Sequence, residues 1–205
     1  MIVNSSKPVR LFFIRHGQTE WSLSGQYTGR ADLPLTPRGE DEARGLLPWI
    51  RRIQFAHVLT SPRRRALRTC ELNGLGAAAE IDEDLAEWDY GEFEGLQPDD
   101  VRKRLPNWEI FRDGCPGGEA PAQISDRADR LIGRLRALTG NIALFSHGEF
   151  GRVLAARWIE APAATGRHFA IATASVGILG YQSNHPNTPV LALWNATPTT
   201  LLDYQ

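Results

Sequence analysis

The stretch Val9-Arg10-Leu11-Phe12-Phe13-Ile14-Arg15-His16-Gly17 is an apolar run that ends in arginine, histidine and glycine. The pattern returns at Asn141-Ile142-Ala143-Leu144-Phe145-Ser146-His147-Gly148. Continuous apolar runs of this length are typical of strands buried on both faces of a parallel sheet. Because the carboxyl ends of parallel strands meet at one edge, where open α/β sheets bind their ligands, we expect His16 and His147 to lie close together.

Helix and strand patterns alternate along the rest of the chain. Helical spacing predicts a helix from Thr36, as the N-cap, to about residue 53, a second after Ser61-Pro62, and others within residues 97–113, 122–138 and 149–158. Further strands are predicted at residues 56–60, 80–82, 169–172, 176–181 and 190–194, and residues 22–37 are predicted to be a loop. This alternation predicts an α/β fold, a three-layer α/β/α sandwich with a mostly parallel central sheet, as a single domain over residues 1–205.

The composition excludes several classes of protein. The 205 residues are 42% hydrophobic and 23% charged, as in ordinary globular proteins. A balance of 23 Lys+Arg against 24 Asp+Glu argues against a protein that coats nucleic acid, and two cysteines, Cys70 and Cys115, are too few for a disulfide framework. No apolar run reaches the ~20 residues of a transmembrane helix. We therefore expect a cytoplasmic protein with no membrane or nucleic-acid partner.

Arginine and glutamate residues complete a candidate phosphate site. Arg15 precedes His16, and Arg65 lies in the first turns of the helix that follows Ser61-Pro62. Two arginines and two histidines form an electropositive pocket in a nearly neutral chain, and guanidinium groups bind phosphoryl oxygens in a bidentate manner. Glu87 supplies a candidate proton donor for the leaving group.

An ordered set of motifs resembles the histidine phosphatase superfamily, the phosphoglycerate-mutase-like proteins. In chain order the motifs are Arg15-His16-Gly17, Thr19-Glu20-Trp21, Tyr27-Thr28-Gly29, Leu35-Thr36-Pro37-Arg38-Gly39, residues 60–69, residues 87–95, Gly117-Gly118-Glu119 and Ser146-His147-Gly148. Within the superfamily, residues 17–29, 87–91 and 108–115 most resemble the sedoheptulose-1,7-bisphosphatase branch.

The resemblance implies a metal-independent phosphatase that needs no cofactor. His16 would be the nucleophile and form a covalent phosphohistidine. Arg15, Arg65 and His147 would hold the phosphoryl oxygens, while Glu87 would protonate the leaving alkoxide and then activate water. The implied substrate is a phosphate monoester of a small metabolite, a sugar phosphate or bisphosphate such as sedoheptulose 1,7-bisphosphate.

The resemblance and the chain order also nominate residues that contact the substrate. These candidates are Gln26, Tyr27, Thr28, Ser61, Tyr90 and Gly148, the last because a helix that begins there would point backbone N–H groups at an anion. Arg63, Arg64 and Arg68 are candidates for a second phosphate, although a solvated helix face is the favoured explanation for each of them.

Three alternative functions remain open on the same core. Cofactor-dependent mutases carry a long insertion before the second histidine, whereas residues 96–117 form a short link here, so we expect a phosphatase rather than a phosphoglycerate mutase. A phosphotyrosine phosphatase would share the catalytic residues. A non-catalytic phospholigand-binding domain would be expected to lack the nucleophile or the acid, and both are present. A homodimer is compatible with the resemblance.

Overall fold

Six strands form one sheet in the computed structural model, which describes residues 9–201. The strands are β1 (Arg10–Arg15), β2 (His57–Thr60), β3 (Ala79–Ile81), β4 (Asn141–Ser146), β5 (Val176–Gln182) and β6 (His185–Ala196). Their order in the sheet is β3-β2-β4-β1-β5-β6. The first four strands in that order pair in parallel, while β5 and β6 add an antiparallel hairpin beside β1. The predicted mostly parallel sheet is confirmed.

Helices cover both faces of this sheet. They are α1 (Glu20–Ser24), α2 (Pro37–Ile50), α3 (Arg64–Leu72), α4 (Pro98–Arg104), α5 (Ile110–Asp113), α6 (Pro121–Arg136), α7 (Gly148–Trp158) and α8 (Pro198–Leu201). The Thr36 side chain accepts the N–H of Gly39 and Pro37 occupies the first turn, so α2 begins as its sequence predicts. Within residues 9–201 no helix is long and apolar enough to cross a membrane.

Alternate residues of the central strands supply two separate cores. Leu11 and Phe13 of β1 pack with residues of α6 and α7, whereas Phe12 and Ile14 pack with residues of α2 and α3. All four side chains are buried. This division follows from the two-residue side-chain period of a strand, and it explains why β1 is apolar at every position between its terminal arginines.

Gly151 allows α7 to approach β1 closely. A Cβ atom at this position would lie 2.3 Å from Cζ of Phe13, far inside van der Waals contact. The helix therefore lies directly against the strand, and its first turn is held at the carboxyl edge of the sheet. That edge carries the candidate catalytic groups.

The register of β1 against β4 brings the two histidines together. Arg15 pairs with Ser146, so His16 and His147 follow at equivalent positions on neighbouring parallel strands. Their ring centroids lie 5.2 Å apart. The expectation drawn from the repeated strand pattern is confirmed.

Two local predictions are wrong. Residues 169–172 are not a strand, because their polar backbone groups bond to side chains: the carbonyl of Ile171 accepts from Arg15 and the N–H of Ala172 donates to Asn195. The predicted loop of residues 22–37 begins inside α1, where Thr19 and Ser22 form a capping box that starts a helix despite the polar sequence.

Candidate active site

A cavity of about 270 Å³ lies at the carboxyl edge of β1 and β4. It collects eight of the residues nominated from the sequence, namely Arg15, His16, Gln26, Tyr27, Thr28, Glu87, Tyr90 and Gly148. Its other lining residues are Thr19, Trp21, Ser22, Gly25, Pro98 and Glu149. A larger and shallower hollow of about 640 Å³ lies over residues 105–120, but its lining is mainly apolar and contains no histidine. The smaller cavity is therefore the candidate active site.

The His16 ring has a defined tautomer. Its Nδ1 atom lies 2.7 Å from the carbonyl oxygen of Gly17. A carbonyl oxygen only accepts, so Nδ1 carries the ring proton and Nε2 carries a free lone pair. Burial, and then the positive charges of Arg65 and Arg15, hold the pKa of His16 well below its ordinary value of 6.5. The ring is therefore neutral at physiological pH.

His147, Arg65 and Ser61 form a hydrogen-bonded chain behind the cavity wall. Nε of Arg65 donates to Nδ1 of His147 at 3.2 Å, which places the His147 proton on Nε2. That proton is donated to Oγ of Ser61 at 2.7 Å. All three side chains are buried, and none of them lines the cavity. Burial and Arg65 keep the pKa of His147 well below 6.5, so this ring is neutral too.

Two charged side chains hold the cavity loop at residues 28–31 by hydrogen bonds to its backbone. Arg65 donates to the carbonyls of Thr28, Gly29 and Ala31 at 2.8–3.2 Å. Glu94 accepts the backbone N–H groups of Gly29, Arg30 and Ala31. Arg65 thus donates one N–H to His147 and three to this loop, so one of its five N–H donors is free. Glu94 was not identified from the sequence as a site residue, although it lies inside the motif of residues 87–95.

Arg15 offers unused donors to the cavity. Its Nη1 atom donates to the carbonyl of Ile171 at 2.7 Å, which fixes the side chain. The Nε atom is buried and has no hydrogen-bond partner among the residues described. A Cβ atom on Gly148 would lie 3.3 Å from Cζ of Arg15, so glycine leaves the guanidinium room. A buried guanidinium donor without a partner is a binding feature for an anion.

Glu87 is anchored at the N-terminus of α7. Its Oε1 atom accepts the backbone N–H groups of Trp88 and Phe150 at 2.8 and 2.7 Å, and Oε2 accepts the N–H of Glu149 at 3.1 Å. The carboxylate therefore occupies the anion position that the sequence analysis assigned to a ligand at this helix start. One acceptor position remains on Oε2.

An ion pair between Arg127 and Glu119 holds the segment that carries Glu87. Arg127 of α6 makes a two-fold contact with Glu119 at 2.9 and 2.8 Å, and its remaining N–H groups reach the carbonyls of Asp84, Ala86 and Glu87. In the sequence Glu119 is notable only as the last residue of the motif Gly117-Gly118-Glu119. Arg127 gave no local signal, because the carbonyl groups it contacts lie about forty residues away in the chain.

Comparison with known proteins decides the family. The family model described as "Histidine phosphatase superfamily (branch 1)" matches residues 11–197. The chain belongs to the histidine phosphatase superfamily. It is 41% identical over 188 residues to an acid phosphatase of Mycobacterium tuberculosis, covering 90% of this chain and 92% of that protein.

Two further similarities support membership of the superfamily. The chain is 38% identical over 182 residues to the sedoheptulose 1,7-bisphosphatase of Saccharomyces cerevisiae, covering 73% of this chain and 67% of that protein. A solved structure of an open reading frame product from Mycobacterium tuberculosis superposes with a TM-score of 0.85 at 36% identity, covering 92% of this chain and 98% of that one. This member of the histidine phosphatase superfamily is a phosphatase, and thus a hydrolase.

Glu149 is a cavity residue of this phosphatase that sequence reasoning missed. It lies in the first turn of α7, two residues after His147, and is one of the residues that line the cavity. Burial raises its pKa, against the opposing charge of Arg152, and the neighbouring Glu87 raises it further. The available signal was its place immediately after the second His-Gly pair, which the motif did not include.

The arginines considered for a second phosphate lie elsewhere. Arg64 and Arg68 line a separate hollow of about 250 Å³, and Arg68 is paired with Glu40 and Glu71. Arg63 is half-buried and also lies outside the lining of the His16 cavity. Among residues 9–201 no group of three or more His, Cys, Asp or Glu side chains is arranged to hold a metal ion.

Proposed function

We propose that this phosphatase hydrolyses a phosphate monoester of a small metabolite through a phosphohistidine on His16, without a metal ion. The observation that carries the proposal is the hydrogen bond from Nδ1 of His16 to the carbonyl of Gly17, 2.7 Å long. It leaves the Nε2 lone pair of a buried, neutral imidazole free, and His16 lines a cavity together with Arg15 and Glu87.

The first half-reaction transfers the phosphoryl group to the enzyme. Nε2 of His16 forms a bond to phosphorus as the bond between phosphorus and the ester oxygen breaks. The leaving alkoxide takes a proton from the Glu87 carboxyl group, so that the alcohol departs neutral and Glu87 becomes a carboxylate. The three backbone N–H groups on Glu87 hold it at the position where that charge appears.

The second half-reaction returns the enzyme to its starting state. The Glu87 carboxylate accepts a proton from water as the water oxygen bonds to phosphorus and the N–P bond breaks. Inorganic phosphate leaves, His16 regains its Nε2 lone pair and Glu87 regains its proton. The cycle balances with protein side chains alone, which is the reason for proposing that no metal takes part.

Two layers of positive charge stabilise the transferred group. Arg15 lies in the cavity wall with its Nε donor unpaired, so it binds the phosphoryl oxygens directly. Arg65 lies behind it with Nε on the neutral His147 ring; it keeps the loop of residues 28–31 in place and has one N–H donor left for the transferred group. Removal of one such donor costs about 10²-fold in rate.

The substrate class follows from the size and lining of the cavity. About 270 Å³ accommodates a small ester and leaves little room for a peptide. Thr19, Ser22, Gln26, Tyr27 and Thr28 surround the cavity with hydroxyl and amide groups, which suit the hydroxyl groups of a sugar. The yeast relative is named as a sugar bisphosphatase. We therefore assign sugar phosphates, including sedoheptulose 1,7-bisphosphate, as the substrates to test first.

The test is phosphate release from a panel of substrates in the presence of EDTA. The panel contains sedoheptulose 1,7-bisphosphate, fructose phosphates, phosphoglycerates and a phosphotyrosine peptide, each with wild-type protein and His16→Ala. EDTA-resistant hydrolysis of sugar phosphates that is lost in His16→Ala supports the proposal. Equal turnover by both proteins contradicts the His16 mechanism, and turnover of the peptide alone contradicts the substrate class.

A further inference from the structure

The residues that line the cavity include more acidic than basic side chains. Among its lining residues Arg15 is the one basic side chain that carries a charge, whereas Glu87 and Glu149 are both acidic residues and His16 is neutral. Arg15, with Arg65 behind it, serves the phosphoryl group that is transferred. The rest of the wall is therefore neutral or acidic, and none of the described lining residues offers a cation to a second anionic group.

Glu149 is held in place from two sides. Its backbone N–H donates to Oε2 of Glu87 at 3.1 Å, which fixes the first turn of α7. Its own Oε2 accepts from Nη1 of Arg152, one turn further along the helix, at 3.2 Å. Arg152 does not line the cavity whereas Glu149 does, so Glu149 is the member of this pair that a bound substrate meets.

Resting on the proposed function, we infer that Glu149 determines specificity: it disfavours substrates with a second anionic group near the scissile phosphate and favours monophosphates of neutral, hydroxyl-bearing molecules. In a cavity of about 270 Å³ a second phosphate or a carboxylate meets this fixed carboxylate at short range. Like charges brought together with little water between them repel strongly, whereas a sugar hydroxyl donates to the same oxygens. The bisphosphates in the panel are therefore the weaker substrates.

The sharpest test uses two substrates that differ in one group. Glycerol 3-phosphate and 3-phosphoglycerate share a phosphate ester and differ by a hydroxymethyl group in place of a carboxylate. The wild-type protein should have the higher kcat/KM for glycerol 3-phosphate at pH 8, a high pH chosen because burial raises the pKa of Glu149. Glu149→Gln should lower that preference roughly 10-fold, because the amide no longer repels the carboxylate.

Two further variants separate this charge effect from other causes. Glu160→Gln removes the same charge just beyond the far end of α7 and should leave the preference unchanged. The double variant Glu149→Gln/Arg152→Gln should keep the lowered preference. A preference that returns to the wild-type value in the double variant overturns the inference, because the freed Arg152 would then have caused the change in Glu149→Gln.

The outcome also distinguishes this inference from the proposed function. An unchanged preference in Glu149→Gln, together with turnover that depends on His16, overturns the role of Glu149 and leaves the phosphohistidine mechanism standing. Turnover that persists in His16→Ala overturns the proposed function itself. A wild-type protein that prefers 3-phosphoglycerate also overturns the inference.

Discussion

Nδ1 of His16 donates its proton to the carbonyl oxygen of Gly17 at 2.7 Å, and this contact fixes which ring nitrogen is free to attack phosphorus in the proposed mechanism. The next residues of the chain thus select the tautomer of the nucleophile. The positive charges of Arg15 and Arg65 add to burial in keeping the ring unprotonated. Position, tautomer and charge state of His16 all follow from its place at the carboxyl end of β1.

The ionisation of His16 can be measured directly. We expect its ring to titrate well below pH 6.5 in the free protein and to show the Nδ1–H tautomer, because protonation would place a third positive charge beside two arginines. Nitrogen-15 NMR of the imidazoles, assigned by the signal lost in His16→Gln, gives both quantities. A midpoint at or above 6.5 would contradict this description of the site.

The two buried histidines should make stability depend on pH. The folded-state pKa values of His16 and His147 lie below the ordinary 6.5, so below that pH the unfolded chain binds protons that the native protein excludes. The free energy of unfolding should therefore fall as pH drops from 7 towards 5, by up to about 1.4 kcal/mol per pH unit for each ring.

Urea unfolding at pH 7.5, 6.5 and 5.5 measures this slope. The variant His147→Gln should show a shallower slope than the wild type, whereas a substitution at His185, which is exposed, should leave the slope unchanged. Equal slopes in all three proteins would mean that the buried rings do not control the pH dependence.

The position of the loop at residues 28–31 should depend on the carboxylate of Glu94. Glu94→Gln replaces one accepting oxygen by an amide that cannot accept from Gly29, Arg30 or Ala31, so the loop loosens around the substrate. KM should rise roughly 10-fold while kcat changes less, given the worth of hydrogen bonds to a charged group. Steady-state kinetics are the measurement, and the exposed neighbour Glu92→Gln is the control. A fall in kcat with constant KM would refute the positioning role.

Arg127 should act on the reaction through Glu87 without touching the substrate. Arg127→Lys keeps the positive charge but loses the planar guanidinium group, whose several N–H donors bond to Glu119 and to the carbonyls of residues 84–87. We expect kcat to fall roughly 10-fold at nearly constant KM, since a displaced acid slows chemistry more than binding. The matched control is Arg130→Lys on the same helix, whose arginine is exposed and pairs with Asp84. A loss of activity that is equal in both variants would point to general loosening of α6.

The central fold and the reacting groups were accessible to sequence reasoning for a physical reason. Apolar runs end at His16 and at His147, and buried parallel strands have few alternatives, so both rings had to emerge at one edge. Residues 169–172 were misassigned because their apolar character resembles a strand. Their backbone groups are instead satisfied by distant side chains such as Asn195.

The supporting residues were less accessible because their partners are far apart in the chain. Arg127 meets Glu119 within one segment but supports Glu87 forty residues away. The three N–H groups that anchor Glu87 belong to Trp88, Glu149 and Phe150, two of them on another element. The sequence pattern does not reveal contacts between distant residues, which become visible only in the three-dimensional structure.

The phosphohistidine on His16 is the central claim, and trapping it is its most direct test. The protein is mixed with a labelled sugar phosphate, quenched in alkali within milliseconds, and digested for mass spectrometry. The account predicts a phosphoryl group on His16 that is stable to base, lost in acid, and absent from His16→Ala. Turnover at a normal rate with no phosphate on His16 at any quench time, or with phosphate on another residue, would contradict it.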